Sequence, residues 1–197
     1  MLKNHEIGTR GIIISRSSSG EGSVRVSIFT EELGLVWAVA KSAREERSKL
    51  RPHLTVGTFG FFNLVQGQAG WRVIGAVETQ NSYFAFRDYP KAQEAAARLL
   101  SLLRQLINGE ERDPELFDAV WGFLASLSSI PEDLLVFAER YAVLRSLAAL
   151  GYVPKDAVPH IEKISYTHET LKILLPYEKE MTVAIKNGFS ASGLLDS

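Results

Sequence analysis

GEGSVRVSIFTEELGLVWAVAKSAREERSKLRP, residues Gly20–Pro52, reads as two β-strands joined by a tight turn and followed by a charged, flexible loop. Across Ser23–Thr30, Val24, Val26 and Ile28 alternate with Arg25, Ser27 and Phe29, the period of two that marks a strand with one buried face. Glu31-Glu32-Leu33-Gly34 supplies the reversal, because Gly34 enters the left-handed backbone region at little steric cost. Leu35–Lys41 is the return strand. Ala43–Arg51 then carries Arg44, Arg47, Lys49 and Arg51, and Lys41 brings the set to five cations against Glu45 and Glu46. A hairpin opening into such a loop offers a surface to polyanions.

Upstream, Ile7–Arg16 reads as a first strand, with Ile12–Ile14 continuously apolar and therefore central. Ser17–Gly22 is Gly/Ser-rich, but no Gly-Lys-Ser/Thr follows and a strand comes next; it is a mobile connector, not a phosphate-binding loop. Downstream, Thr55–Val65 is a fourth strand dense in phenylalanine, Gln66–Gly70 a turn and Trp71–Thr79 a fifth strand. Gly57, Gly60 and Gly75 inside these strands predict bends or bulges, which a small closed barrel needs at its corners. Phe59, Phe61, Phe62 and Trp71 are expected in the barrel interior.

From Asp88 the pattern turns helical. Pro90–Ile107 is rich in Ala and Leu and stops at Asn108-Gly109. Asp113 caps the next helix, with Pro114 at its first position. Pro131–Leu150 is the longest, and Phe137, Tyr141, Leu144 and Ala148 form one apolar stripe on it, which predicts the spine of a small bundle. Beyond Pro154, Glu162–Tyr166 and Leu171–Leu175 are expected as a small hairpin and Met181–Phe189 as a helix.

GEGSVRVSIFTEELGLVWAVAKSAR resembles the amino-terminal domain of the RecO family, bacterial recombination mediators and DNA-annealing proteins. That family carries a G-E-x-D-R-type turn, an apolar strand ending in F-T, then E-x-G and a strand ending A-V-A-K-G-A-R. Gly20, Glu21, Arg25, Phe29, Thr30, Gly34, Ala38, Val39, Ala40, Lys41, Ala43 and Arg44 match it. LRSLAALGYVP, Leu144–Pro154, resembles the LGY-x-P helix end of the family's central helical domain. The resemblance implies an α+β protein, with a five-stranded OB-fold barrel over residues 1–80 and a helical domain over 81–197, the latter with a small irregular or hairpin insertion at about 155–176. It carries DNA contact onto Lys41 and Arg44. It further implies single-stranded DNA as the partner, with double-stranded DNA second, together with the acidic tail of single-strand binding protein and RecR. Arg145 and Arg140 are the candidates for the cation at the edge of a tail pocket; either alternatively snorkels or pairs with Glu139 on the helix surface. Longer relatives often hold a four-cysteine zinc site after the LGY signature.

Charge extends the DNA candidates to Arg47, Lys49, Arg51 and Arg25, and to Arg10 and Arg16 on the first strand. Trp37 shares a strand face with Lys41 and stands where relatives usually have a small residue; it either stacks on a base or packs in the core. Glu45 and Glu46 stand where the family is commonly basic or neutral, and Ser23 replaces the turn's acidic residue.

The 197 residues suffice for one large or two small domains. No apolar run approaches the roughly 20 residues of a membrane-spanning helix, and Met1–Arg16 lacks a signal pattern, so a cytoplasmic protein is expected, nucleoid-associated when on DNA. The lack of cysteine excludes disulfides and thiolate zinc sites, and His160 and His168 alone make no metal site. The net charge of −1 conceals a split. Residues 1–80 hold ten Lys/Arg against seven Asp/Glu, a net of +3, and residues 81–197 twelve against sixteen, a net of −4. That favours nucleic-acid contact on the first part, at modest strength. No Gly-x-Ser-x-Gly, His-Glu-x-x-His or strand-linked Gly-x-Gly-x-x-Gly is present, and Glu31-Glu32 and Glu110-Glu111 read as solvated turn charge. Neither catalysis nor a cofactor is expected. The leading reading is a recombination mediator; the second is a reduced protein–protein adaptor of the same fold with little DNA affinity.

Overall fold

The computed structural model of the protein describes residues 5–107, 109–159 and 165–194. Two compact units make up the chain, one drawn from Met1–Arg87 and Ile107–Arg112, the other from Asp88–Leu106 and Asp113–Ser197.

The first unit holds five strands: β1 (His5–Ser19), β2 (Ser23–Thr30), β3 (Gly34–Ala40), β4 (Thr58–Gly67) and β5 (Gly70–Asn81). Antiparallel pairing joins β1 to β2 and β4, β2 to β3, and β4 to β5. A short parallel pairing, Ala38 opposite Trp71 and Val39 opposite Arg72, closes the ring in the order β1-β2-β3-β5-β4. This is the expected five-stranded OB-type barrel, and with the helices it makes the chain α+β. The pairing slips between Ile13 and Ser15 on β1 and at two places along β4 and β5, the first spanning Gly60. A Cβ on Gly60 would meet Thr79 Cα at 2.7 Å, so the bulge brings two backbones too close for any side chain.

Val24, Val26, Ile28, Val36, Ala38, Ala40, Phe62, Leu64, Trp71 and Val73 fill the barrel. Two expectations need correction. Past Arg25 every residue of β2 is buried, Ser27 and Phe29 on the outer face included, because a period of two reports one face and is silent on packing over the other. Phe61 is 43% exposed, opposite Arg10 and Val77 on the outer face, while its neighbour Phe62 takes the interior.

The segment from Lys41 to Gly57 is not the flexible loop its composition predicts. Ser42 takes φ 52°, and the Arg44 amide then donates to Gly22 O at 2.9 Å. Amides of Glu45, Ser48 and Arg51 donate in turn to carbonyls three residues back, ending in a 3-10 turn at Arg51–His53. Ala43 and Leu54 are fully buried in the barrel core and Leu50 packs against it. His53 Nδ1 bonds Thr79 Oγ1 on β5. Apolar anchors thus fix the segment as a plug.

A short helix α1 (Ser82–Ala85) follows β5. The second unit contains α2 (Pro90–Leu106), α3 (Pro114–Ser126), α4 (Leu135–Ala149), α5 (His168–Leu174) and α6 (Glu178–Ser192). Asp113 caps α3 through Leu116 N–H at 2.9 Å, as the sequence predicts. The α4 helix starts at Leu135 rather than Pro131, after a 3-10 turn at Glu132–Leu134. It is buried on nearly all sides and meets α2, α3 and α6, the expected spine. It ends at Gly151, φ 78°, where Gly151 N–H reaches Ala148 O and Tyr152 N–H reaches Leu147 O, which satisfies the last carbonyls. Leu171–Leu175 is helical, not a hairpin strand, because Thr167 caps α5 through Thr170 N–H. Most of its expected partner, Glu162–Tyr166, lies outside the described residues.

Candidate nucleic-acid interface

With Ala43, Leu50 and Leu54 turned inward, the plug presents its polar residues outward. Lys41, Arg44, Arg47, Lys49 and Arg51 are all exposed. None forms an ion pair or side-chain hydrogen bond among the described residues. Several cations of the helical unit are paired instead: Arg98 with Glu139, Arg140 with Glu178, Lys155 with Glu115 and Lys91 with Glu132. Glu45 and Glu46 share the plug, and Glu21 lies in the β1–β2 turn beside it.

The other end of the barrel is acidic. The eight residues of β2 separate the two ends by about 25 Å. There Arg10 clasps Glu31 with two hydrogen bonds of 2.7 and 2.6 Å. That bond holds the Glu31 carboxyl below the usual carboxylate range, against the opposing effect of partial burial and with help from the charges of Arg10 and Arg112. Arg112 also donates to Glu31 O at 3.3 Å and pairs with Glu32. Arg10 thus lies at the opposite end of the barrel from the plug cations, with its guanidinium engaged by Glu31.

Register settles the remaining barrel candidates. Arg25 lies opposite Val39, and Ser27 opposite Trp37, so Arg25 and Trp37 share the outer face of β2 and β3. Arg25 is exposed and Trp37 is 56% exposed, which removes the core-packing reading of the tryptophan. Arg16 is exposed but lies opposite Val26, a core residue, and so occupies the other face of β1 from the row that contains Arg25. Arg72, absent from the sequence candidates, stands opposite Val39. Its alternation with inward Trp71 was visible in the sequence, but its neighbour on β3 follows only from the parallel closure.

Residues 3–83 match the family model described as Recombination protein O N terminal. The chain is also similar to the DNA repair protein RecO of Dehalococcoides mccartyi (strain CBDB1), 26% identical over 177 residues, 90% of this chain and 67% of that protein. With the DNA repair protein RecO of Thermobifida fusca (strain YX) the identity is 32% over 148 residues, 73% of this chain and 59% of that one. Residues 3–83 thus carry the RecO family's amino-terminal domain. The chain spans about two thirds or less of the length of these RecO relatives.

The two arginines of the helical unit occupy different settings. Arg145 is buried, 8% exposed, with its guanidinium carbon 5.9 and 5.8 Å from the Tyr141 and Tyr166 rings and Nη1 donating to Tyr166 Oη at 3.4 Å. That position is interior, not the edge of a pocket. Arg140 is on the surface, paired with Glu178 at 2.7 Å, and lines an open groove of about 360 Å³ with Val136, Val143, Ile185 and Phe189. Glu139, offered as a partner for either, instead takes Arg98. The four-cysteine zinc site of longer RecO relatives does not fit this chain, which has no cysteine. His168 is exposed, His160 lies outside the described residues, and among the described residues no three potential metal ligands cluster. No helix among them is long and apolar enough to cross a membrane.

Proposed function

We propose that this protein is a DNA-repair mediator of the RecO type that binds and anneals single-stranded DNA through the cationic end of its barrel. It engages the tail of single-strand binding protein and RecR, helps a recombinase load, and turns over no substrate. The observation that carries the reading is the set of five exposed, unneutralised cations on one anchored plug. Such cations displace the counterions condensed on nucleic-acid phosphates without first breaking an ion pair of their own. Double-stranded DNA presents the same phosphates and is the weaker second ligand. The groove beside Arg140 supports the tail contact, since it combines an apolar floor with a cation at its rim.

Glu21, Glu45 and Glu46 beside the same cations favour a second reading, an adaptor with little DNA affinity. Salt separates the two. Neutralising four or five phosphates of a single strand gives a slope of log affinity against log salt of roughly −3. Replacing Lys41, Arg44, Arg47 and Lys49 together by Ala abolishes most binding of a fluorescent oligonucleotide and leaves the circular dichroism unchanged. Annealing by that variant at the parental rate overturns the assignment; weak parental binding at every salt with intact tail-peptide binding selects the adaptor.

A further inference from the structure

The closure of the barrel creates a second feature that the plug cations do not explain. Directly opposed strand residues point to the same side of a sheet, so the pairings Ser17–Arg25, Arg25–Val39 and Val39–Arg72 define one continuous outer row across β1, β2, β3 and β5. Trp37 lies two residues from Val39 on the same face, and Lys41 follows Ala40, the last residue of the strand. Arg25, Trp37 and Lys41 are exposed, Val39 and Arg72 partly so. The remaining positions of this face on β1, Ser15 and Ser17, are uncharged, and none of the named strand positions carries a carboxylate. Two strand spacings place the Cα atoms of Arg25 and Arg72 on the order of 10 Å apart, with the indole beside the line between them.

We propose that this face is a base-stacking platform for single-stranded DNA, on which Trp37 takes an unpaired base while Arg25 and Arg72 hold the phosphates to either side. The proposal rests on the DNA-binding reading above and adds strand selectivity to it. The plug cations meet phosphates of single and double strands alike. An indole exposed on a strand face needs an uncovered base plane, which a duplex withholds because its bases are already stacked. The platform therefore favours the single strand. A protein partner is the less suitable occupant of this row, since its large aromatic is flanked by cations, while the exposed apolar residues Ile74, Val77 and Phe61 lie beyond Arg72 along β5 and β4.

The test uses the full chain with a fluorescent oligo-dT and a blunt duplex of equal length, at low and moderate salt. Trp37→Ala lowers single-strand affinity about five- to a hundredfold and duplex affinity less than twofold, and Trp37→Phe restores most of the loss. Arg72→Ala reduces the single-strand salt slope by roughly 0.7, one phosphate's share. Oligo-dT also quenches the tryptophan fluorescence of the parent more than that of Trp37→Phe. Because Trp37 is exposed, none of these changes disturbs the core. Single-strand binding by Trp37→Ala within twofold of the parent, while the plug quadruple variant fails to bind, overturns the platform and leaves the DNA reading standing. A parent chain that binds no oligo-dT at low salt overturns both.

Discussion

At Gly34 two demands meet on one residue. The β2–β3 turn needs a positive φ, here 68°, and the Thr30 hydroxyl bridges Gly34 O and the Leu33 amide across it. In addition the backbone of Glu111 crosses so close that a Cβ on Gly34 would lie 2.2 Å from Glu111 O. Leu35 N–H donates to Gly109 O in the same crossing segment. Gly34→Ala must therefore strain the turn and also displace a backbone, a cost expected to exceed about 2 kcal/mol in urea unfolding. Gly20→Ala is the control: its φ is 61° with nothing within 4 Å of the added carbon, and about 1 kcal/mol is expected. Equal losses for the two would refute the steric part. The turn role of Gly34 was legible in Glu31-Glu32-Leu33-Gly34. The approach of Glu111 was not, because nothing in a local pattern records which distant segment will cross it. Arg10 hid its pairing with Glu31 for the same reason: two side chains on separate strands declare themselves only when register is known.

Among the elements, the plug between β3 and β4 shows how composition misleads about mobility. Five cations and two glutamates in Lys41–Arg51 read as solvated loop, yet single apolar residues spaced between them set the conformation. Leu54, fully buried, is the last of these anchors. Leu54→Ala is expected to cost about 2–5 kcal/mol through the cavity it leaves. It also frees the segment that displays the cations. Trypsin supplies the local readout, since Arg44, Arg47 and Lys49 are cleavage sites within a segment of hydrogen-bonded turns. Cleavage there should be slow in the parent and rapid in the variant under conditions where both remain folded; equal rates would show that the plug is not held by its anchor. The five strands were readable from alternation and glycine placement, and the capped start of α3 from Asp113-Pro114. The strand order was not, because a two-residue parallel pairing leaves no periodic trace.

Over the molecule as a whole, charge and burial divide the work differently. In the barrel unit, charge is sorted by end: unneutralised cations on the plug, and Glu31, Glu32, Glu110 and Glu111 around the opposite turn, where Arg10 and Arg112 balance them and Trp71 donates to Glu110. In the helical unit the informative charge is inside. Arg145 lies within a cage of Tyr141 and Tyr166, and Tyr166 donates to Ala119 O at 2.7 Å while packing on Phe123. Burial pushes the Tyr166 hydroxyl up to about 12, partly opposed by the neighbouring Arg145 charge. An unfolded tyrosine titrates near 10. A folded value above the unfolded one means that the unfolded state releases its proton first as pH rises. The stabilisation is thus complete below about pH 10 and is lost through the window from about 10 to about 12, on the order of 2–3 kcal/mol. The parent alone does not isolate this one hydroxyl among the six tyrosines of the chain. Tyr166→Phe does: it keeps the ring and removes the ionisable group, at the cost of the bond to Ala119. The parent is expected to lose stability more steeply than Tyr166→Phe across that window in urea titrations of the full chain, with tyrosinate absorbance reporting the proton. Parallel pH profiles for the two proteins would show that Tyr166 reaches water before the helices open, and the buried arginine cage would then have to be abandoned as the centre of the helical unit.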